Sequence, residues 1–214
     1  MDSLSEGCRQ ALFASSKRRE VAKGDTLWKQ GEAAHSVAIV LAGKVMSQYE
    51  ARSGRSGTIG FWCTGDLIGL GDMGRRSVRQ HTLRCLEPCT FLVMPFADVD
   101  ELILQFPEFG VQLVRALSLR LSWVTQLALG LETGSATERI CTVLLALSER
   151  FGETRADGLH ISLHLTHEQL AAIAGVTRQF TTSTLKLLRE RGVIADARQF
   201  VLTDLRALEH LAFS

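Results

Sequence analysis

The densest run of chemistry-bearing residues lies between Leu165 and Leu202, LTHEQLAAIAGVTRQFTTSTLKLLRERGVIADARQFVL. Arg178 and Gln179 stand side by side in it, followed by Thr182, Ser183 and Lys186. An arginine fork bonds guanine bidentately and a glutamine amide bonds adenine. Hydroxyls and a lysine ammonium suit phosphates or base edges. From Thr177 to Arg191 four basic residues (Arg178, Lys186, Arg189, Arg191) accompany one acid, Glu190, a local charge of +3 in a chain whose net charge is +1. The chemistry this suits is recognition of double-stranded DNA. A solvated basic helix is the plainer alternative.

The surrounding spacing supplies elements to position these groups. Thr166 and Gln169 have capping-box spacing and open a helix whose inward residues are Leu170, Ala171 and Ile173. Gly175 gives the left-handed backbone of a tight interhelical turn. Thr177 caps a second helix running to about Arg191, with Leu185 and Leu188 inward and Gly192 at its end. Val193–Ala195 and Gln199–Leu202 then read as a hairpin, so the expected unit is a winged helix–turn–helix. Its expected DNA contacts are Thr166, His167, Thr177, Arg178, Gln179, Thr182, Ser183 and Lys186, because a recognition helix meets base edges with its first turns.

The N-terminal half reads differently. Eleven of the 18 glycines precede residue 107 and separate short apolar runs: Ser36–Leu41, Val45–Tyr49, Thr58–Cys63, Gln80–Cys85 and Cys89–Met94. Short strands between regular turn signals indicate an antiparallel roll or barrel. Phe96–Ile103 reads as a short helix, and Pro107 suits the first turn of another. Gly110, Val114, Leu117, Leu121, Val124, Ala128 and Leu131 recur in steps of four and three, the seam of a two-stranded helical contact. The expected dimer interface is Val114, Leu117, Leu121, Val124, Ala128 and Leu131. Thr137–Phe151 is a further amphipathic helix, Gly152–Gly158 a loop, and Ile161–Leu165 alternates like a strand. The expected domains are 1–106, 107–135 and 136–214.

Composition excludes other classes. With 46% hydrophobic and 22% charged residues in 214, the chain is ordinary globular protein. Met1–Gln10 lacks a basic stretch followed by an apolar run, and no segment reaches the ~18 apolar residues of a membrane helix, so a cytoplasmic protein is expected. Cys8, Cys63, Cys85, Cys89 and Cys141 form no CxxC pair, and reduced buried thiols are expected rather than a zinc site. His160, His164 and His167 would share a face only on a helix. No nucleophile–base, paired-carboxylate or metal-ligand set stands out, so no enzyme is expected.

From about residue 10 to 205 the sequence resembles the cyclic-AMP receptor protein / fumarate–nitrate reduction regulator (CRP/FNR) family of bacterial transcription factors. The resemblance rests on Gly31-Glu32 before the first apolar run, Leu41-Ala42-Gly43-Lys44-Val45, Gly65-Asp66-Leu67-Ile68-Gly69, Glu138-Arg139-Ile140 and the helix–turn–helix. It implies an α+β fold: an N-terminal antiparallel β-roll of cyclic-nucleotide-binding type, a long dimerisation helix and a C-terminal winged helix–turn–helix. It further implies a homodimer on a two-fold symmetric DNA operator, with RNA polymerase as a partner. The departures concern the effector. Where cyclic-AMP-binding members carry a ribose-binding Glu, this chain has Leu70, which cannot accept a hydrogen bond. Arg79 aligns with their phosphate-gripping arginine, but Gln80 replaces the hydroxyl neighbour, and Val124 and Thr125 align with the base-touching Thr-Ser pair. Cyclic AMP is therefore not the expected effector. The candidate effector pocket is Leu70, Gly71, Arg79, Gln80, Trp123, Val124 and Thr125, with Arg79 available to an anion. The iron–sulfur branch needs several N-terminal cysteines where only Cys8 stands, and haem, with His81 near Cys85, is a minor alternative. Gln179 and Ser183 depart from the Glu and Arg that receptor-protein relatives carry, which implies a different half-site.

Overall fold

The computed structural model describes residues 4–51, 56–73, 78–196 and 199–213, without the side chains of Ser56, Leu127, Leu131, Glu132 and Thr133. Part of the Arg52–Gly57 turn, the arginines at 75 and 76, and the side chain of Leu131 in the helical seam lie outside the described residues. The chain divides into two compact units, Met1–Leu119 and Arg120–Ser214, with the division falling inside the long helix.

In the first unit a short helix α1 (Glu6–Ala14) is capped by Ser5, whose hydroxyl accepts the Cys8 N–H. Eight strands follow: β1 (Lys17–Val21), β2 (Thr26–Trp28), β3 (Ser36–Ala42), β4 (Val45–Glu50), β5 (Ser56–Trp62), β6 (Leu67–Ile68), β7 (Thr82–Cys85) and β8 (Cys89–Pro95). They form two antiparallel four-stranded sheets ordered β1-β8-β3-β6 and β2-β7-β4-β5. Strand β3 explains why both are needed. Its Ala38 and Val40 belong to the core with Trp28, Val45, Leu83 and Phe91. Its Val37 and Ile39 belong to a second core with Leu12, Leu92, Met94, Val99, Leu102 and Phe109. Residues of opposite strand faces are thus buried on both sides. The second core is completed by α1, by α2 (Phe96–Gln105) and by the start of α3 (Pro107–Thr133).

The second unit contains the rest of α3, then α4 (Ala136–Phe151), capped by a reciprocal Ser135–Glu138 box. The segment expected as a loop contains β9 (Gly152–Arg155), whose four residues are all exposed and so leave no apolar signature. It pairs with β10 (Gly158–Ile161), which lies three residues earlier than the alternation at Ile161–Leu165 suggests, because the hairpin turns at Ala156-Asp157. Helices α5 (His167–Ala174) and α6 (Arg178–Glu190) follow, then β11 (Ile194–Asp196), β12 (Val201–Leu202) and α7 (Leu205–Ala212). The β11–β12 hairpin is no isolated wing: β12 also pairs with β10, giving the sheet β11-β12-β10-β9.

Candidate nucleic-acid interface

Helix α5 begins where Thr166 accepts the Gln169 N–H and the Gln169 side chain accepts the Thr166 N–H in return, at 3.1 and 2.8 Å. It ends on Gly175 at φ 63, ψ 37, the left-handed region that costs an L side chain strain and costs glycine little. Leu170, Ala171 and Ile173 are buried, as are Thr181, Thr184, Leu185 and Leu188 on α6. Burying these faces fixes the other side of α6 outward. Thr177, which caps the helix by accepting the Phe180 N–H, and Arg178, Gln179, Thr182, Ser183 and Lys186 are all exposed.

Several of these groups are already oriented. The Thr182 hydroxyl donates to the Arg178 carbonyl at 3.0 Å, and that of Ser183 to Gln179 at 3.1 Å. Each hydroxyl oxygen keeps acceptor capacity. His167 Nδ1 lies 3.0 Å from Thr182 Oγ1, which ties the start of α5 to the outward face of α6. Lys186 is 3.8 Å from Glu190, an exposed pair that holds the ammonium only weakly.

Two residues to which the sequence assigns no role matter here. Phe180 is an exposed aromatic beside Gln179; its signal was an apolar residue off the inward spacing of α6. Arg139, on α4, donates to the carbonyls of Ala174, Gly175 and Gly134 at 2.9, 3.4 and 3.0 Å. It ties the turn between α5 and α6 to the junction of α3 and α4. Two of its three backbone acceptors lie 35 and 36 residues away, which leaves no pattern in a sequence.

The effector candidates fall in both units. In the first, Leu70 and Gly71 form a 3-10 turn with Asp72; Leu70 packs on the second core and Gly71 is exposed. Arg79 was expected to be available to an anion. It is instead 4% exposed, with Nη1 on Asp72 Oδ2 at 3.2 Å, Nη2 on the Ser36 hydroxyl at 3.0 Å, and its guanidinium 3.6 Å from the Trp28 ring centroid. Burial lowers its pKa, and the hydrogen bond and charge of Asp72 oppose that shift. Gln80 is half-buried. In the second unit Trp123 is half-buried, while Val124 and Thr125 are exposed on α3. Of the minor haem pair, His81 meets Tyr49 edge-on and Cys85 is buried in the core between the sheets. Among the described residues no cluster of three His, Cys, Asp or Glu side chains is arranged to hold a metal, and no helix is long and apolar enough to cross a membrane. Of the helical seam, Val114, Leu117, Leu121, Val124 and Ala128 are all exposed.

A family model described as a Crp-like helix–turn–helix domain matches residues 138–211, and one described as a cyclic nucleotide-binding domain matches residues 18–106. The transcriptional activator protein Anr of Pseudomonas protegens is 31% identical over 168 residues, covering 76% of this chain and 68% of that protein. The global nitrogen regulator of a Nostoc species is 27% identical over 175 residues, covering 81% and 78%. The solved structure of FixK2 from Bradyrhizobium japonicum superposes with a TM-score of 0.79 at 20% identity, covering 93% of this chain and 98% of that one, a likeness of fold. A regulator with a DNA-binding helix–turn–helix joined to a roll of cyclic-nucleotide-binding type is the class these features define. The chain belongs to the CRP/FNR family of transcription regulators, which are not enzymes.

Proposed function

We propose that the protein acts in the cytoplasm as a homodimer that reads a two-fold symmetric operator through α6, with RNA polymerase as partner and an effector other than cyclic AMP, or none. The observation that carries this is the outward face of α6, where Arg178, Gln179, Thr182, Ser183 and Lys186 are exposed together on a helix whose other face is buried. Arg178 and Gln179 sit in the first turn, the part of a recognition helix that meets base edges, and their donors suit guanine and adenine. Phe180 adds an apolar surface that suits a thymine methyl. Lys186, Thr166 and Thr177 suit flanking phosphates. The exposed apolar seam on α3 supports the homodimer, which would set two recognition helices about 34 Å apart, one turn of DNA.

The test is selection of bound sequences from a random duplex pool with the purified protein and no added ligand. Enrichment of a palindromic site, with affinity that falls steeply with salt, is the expected result. Recovery of unrelated sequences by a protein that remains dimeric and folded would refute binding by the bare form, and would call for the same selection with metabolite pools added.

A further inference from the structure

The roll contains a cradle for an anion, and one of the chain's own carboxylates lies in it. Arg79 offers a guanidinium in an almost fully buried place, stacked on Trp28, with one nitrogen on the Ser36 hydroxyl. Its Nε is buried and has no hydrogen-bond partner among the described residues. The wall beside it is bare backbone. At Gly69, φ 89, a Cβ would come within 3.0 Å of Arg79 Nη1 and 3.2 Å of both the Ser36 carbonyl oxygen and Trp28. A buried cation held against glycine backbone, with a donor to spare, suits an anion. Its present partner is Asp72, whose Oδ2 takes Nη1 at 3.2 Å while Oδ1 accepts a long 3.4 Å bond from the Gln80 N–H. The backbone also fastens Arg79 from the other side: its N–H donates to the Glu32 carbonyl at 2.7 Å, and its carbonyl accepts from Gly31 at 2.9 Å.

We propose that Asp72 is a tethered internal anion that occupies the Arg79 cradle, so that the roll takes no cyclic nucleotide phosphate and the Arg79 charge is neutralised without one. The chemistry supports a carboxylate as the occupant. An unpaired buried guanidinium is strongly unfavourable, and one negative charge neutralises it. The carboxylate sits three residues after Gly69 on the 3-10 turn, so the tether is short and the effective local concentration of the anion high. A free phosphodiester would have to displace it before reaching Nη1. The inference concerns the roll alone and does not rest on the DNA reading of α6, and its test reads ligand and stability rather than DNA.

The test uses the full chain and three proteins: the unaltered one, Asp72→Ala, and Asp72→Ala combined with Arg79→Met. Calorimetric titration of the unaltered protein with cyclic AMP, and separately with inorganic phosphate, is expected to give no saturable heat. Asp72→Ala leaves the guanidinium unpaired and a space of carboxylate size. Its melting temperature should fall on the order of 10 °C. Sodium formate should restore at least half of that fall in a saturable way, beyond sodium chloride at equal ionic strength. The combined variant has no guanidinium and should not respond to formate. Saturable binding of cyclic AMP by the unaltered protein overturns the proposal. So does an Asp72→Ala protein that melts as before, or one that formate helps no more than chloride, or an equal formate response in the combined variant. The first arm needs no variant, so a failure of Asp72→Ala to fold leaves the proposal open to refutation.

Discussion

On the proposed reading of DNA by α6, Arg178 is the side chain on which specific recognition would depend most. It is exposed in the first turn of α6, and its carbonyl already anchors the Thr182 hydroxyl. Arg178→Ala is expected to weaken binding to the selected operator by about 1–3 kcal/mol and to relax preference at one base pair, measured by fluorescence anisotropy against single-base variants. An unchanged affinity would remove it from the readout. Lys186→Ala should instead weaken all sequences alike and reduce the salt slope by about one. The thiols carry a different prediction. Burial pushes Cys85 up to about 12 and Cys141 up to about 11 from an ordinary 9.0, and raises Cys8 and Cys89 as well. In the unfolded chain these thiols ionise near 9 while the folded ones stay protonated. The associated stability is whole below that pH and is lost as pH rises through the window up to about 12. Denaturant midpoints should therefore be flat from neutral pH to about 8 and fall above 9. Alkylation of the folded protein at pH 8 should label Cys63 first, the one half-buried cysteine of the five. Fast labelling of Cys85 would contradict its burial.

At the scale of elements, the helix–turn–helix was readable because each of its boundaries is a local event. The Thr166–Gln169 box, the left-handed Gly175 and the Thr177 cap each depend on residues within four positions of one another. The strands of the roll were readable where apolar runs stand between turns, as in β3, β4 and β8. What stayed hidden has either no apolar contrast or distant partners. Strand β9 is exposed throughout, and α1 and α7 have fewer than three turns, although the Asp204 cap of α7 was a usable sign. The fate of Arg79 was illegible because its partners are Asp72, Ser36 and Trp28, brought together only by the roll. Arg139 is the same case and carries a prediction. Arg139→Gln removes a charged fork from the carbonyls of Ala174, Gly175 and Gly134 and should cost about 1.5–3 kcal/mol of stability, read by thermal unfolding. Because the turn it holds sets the angle of α6, operator affinity should also fall well below the melting temperature. The salt slope should stay the same, since the fork is committed to backbone rather than phosphate. A reduced slope would show that Arg139 meets DNA itself.

For the whole molecule the decisive question is what covers α3. Its seam residues Val114, Leu117, Leu121 and Val124 are exposed, with Leu121 at 67%, and they recur at the spacing that two helices share when they pack along their length. A monomer seldom leaves so continuous an apolar stripe in water. In the proposed homodimer a second copy would supply the complementary stripe by symmetry. Leu119 is more exposed still, at 71%, but helical spacing puts it on the opposite side of α3 from Leu121. The two leucines therefore make a matched pair of tests. Leu121→Glu sets like charges against each other across the seam and should give a folded monomer by sedimentation equilibrium. Its affinity for the full palindrome should collapse towards that for a half-site, because the second recognition helix is no longer tethered to the first. Leu119→Glu adds the same charge to the same helix and should leave both the dimer and the palindrome affinity intact. If Leu121→Glu sediments as a dimer the seam is not the interface. If both variants dissociate, the contact wraps more of α3 than one heptad stripe, and the apolar residues outside the seam belong to it.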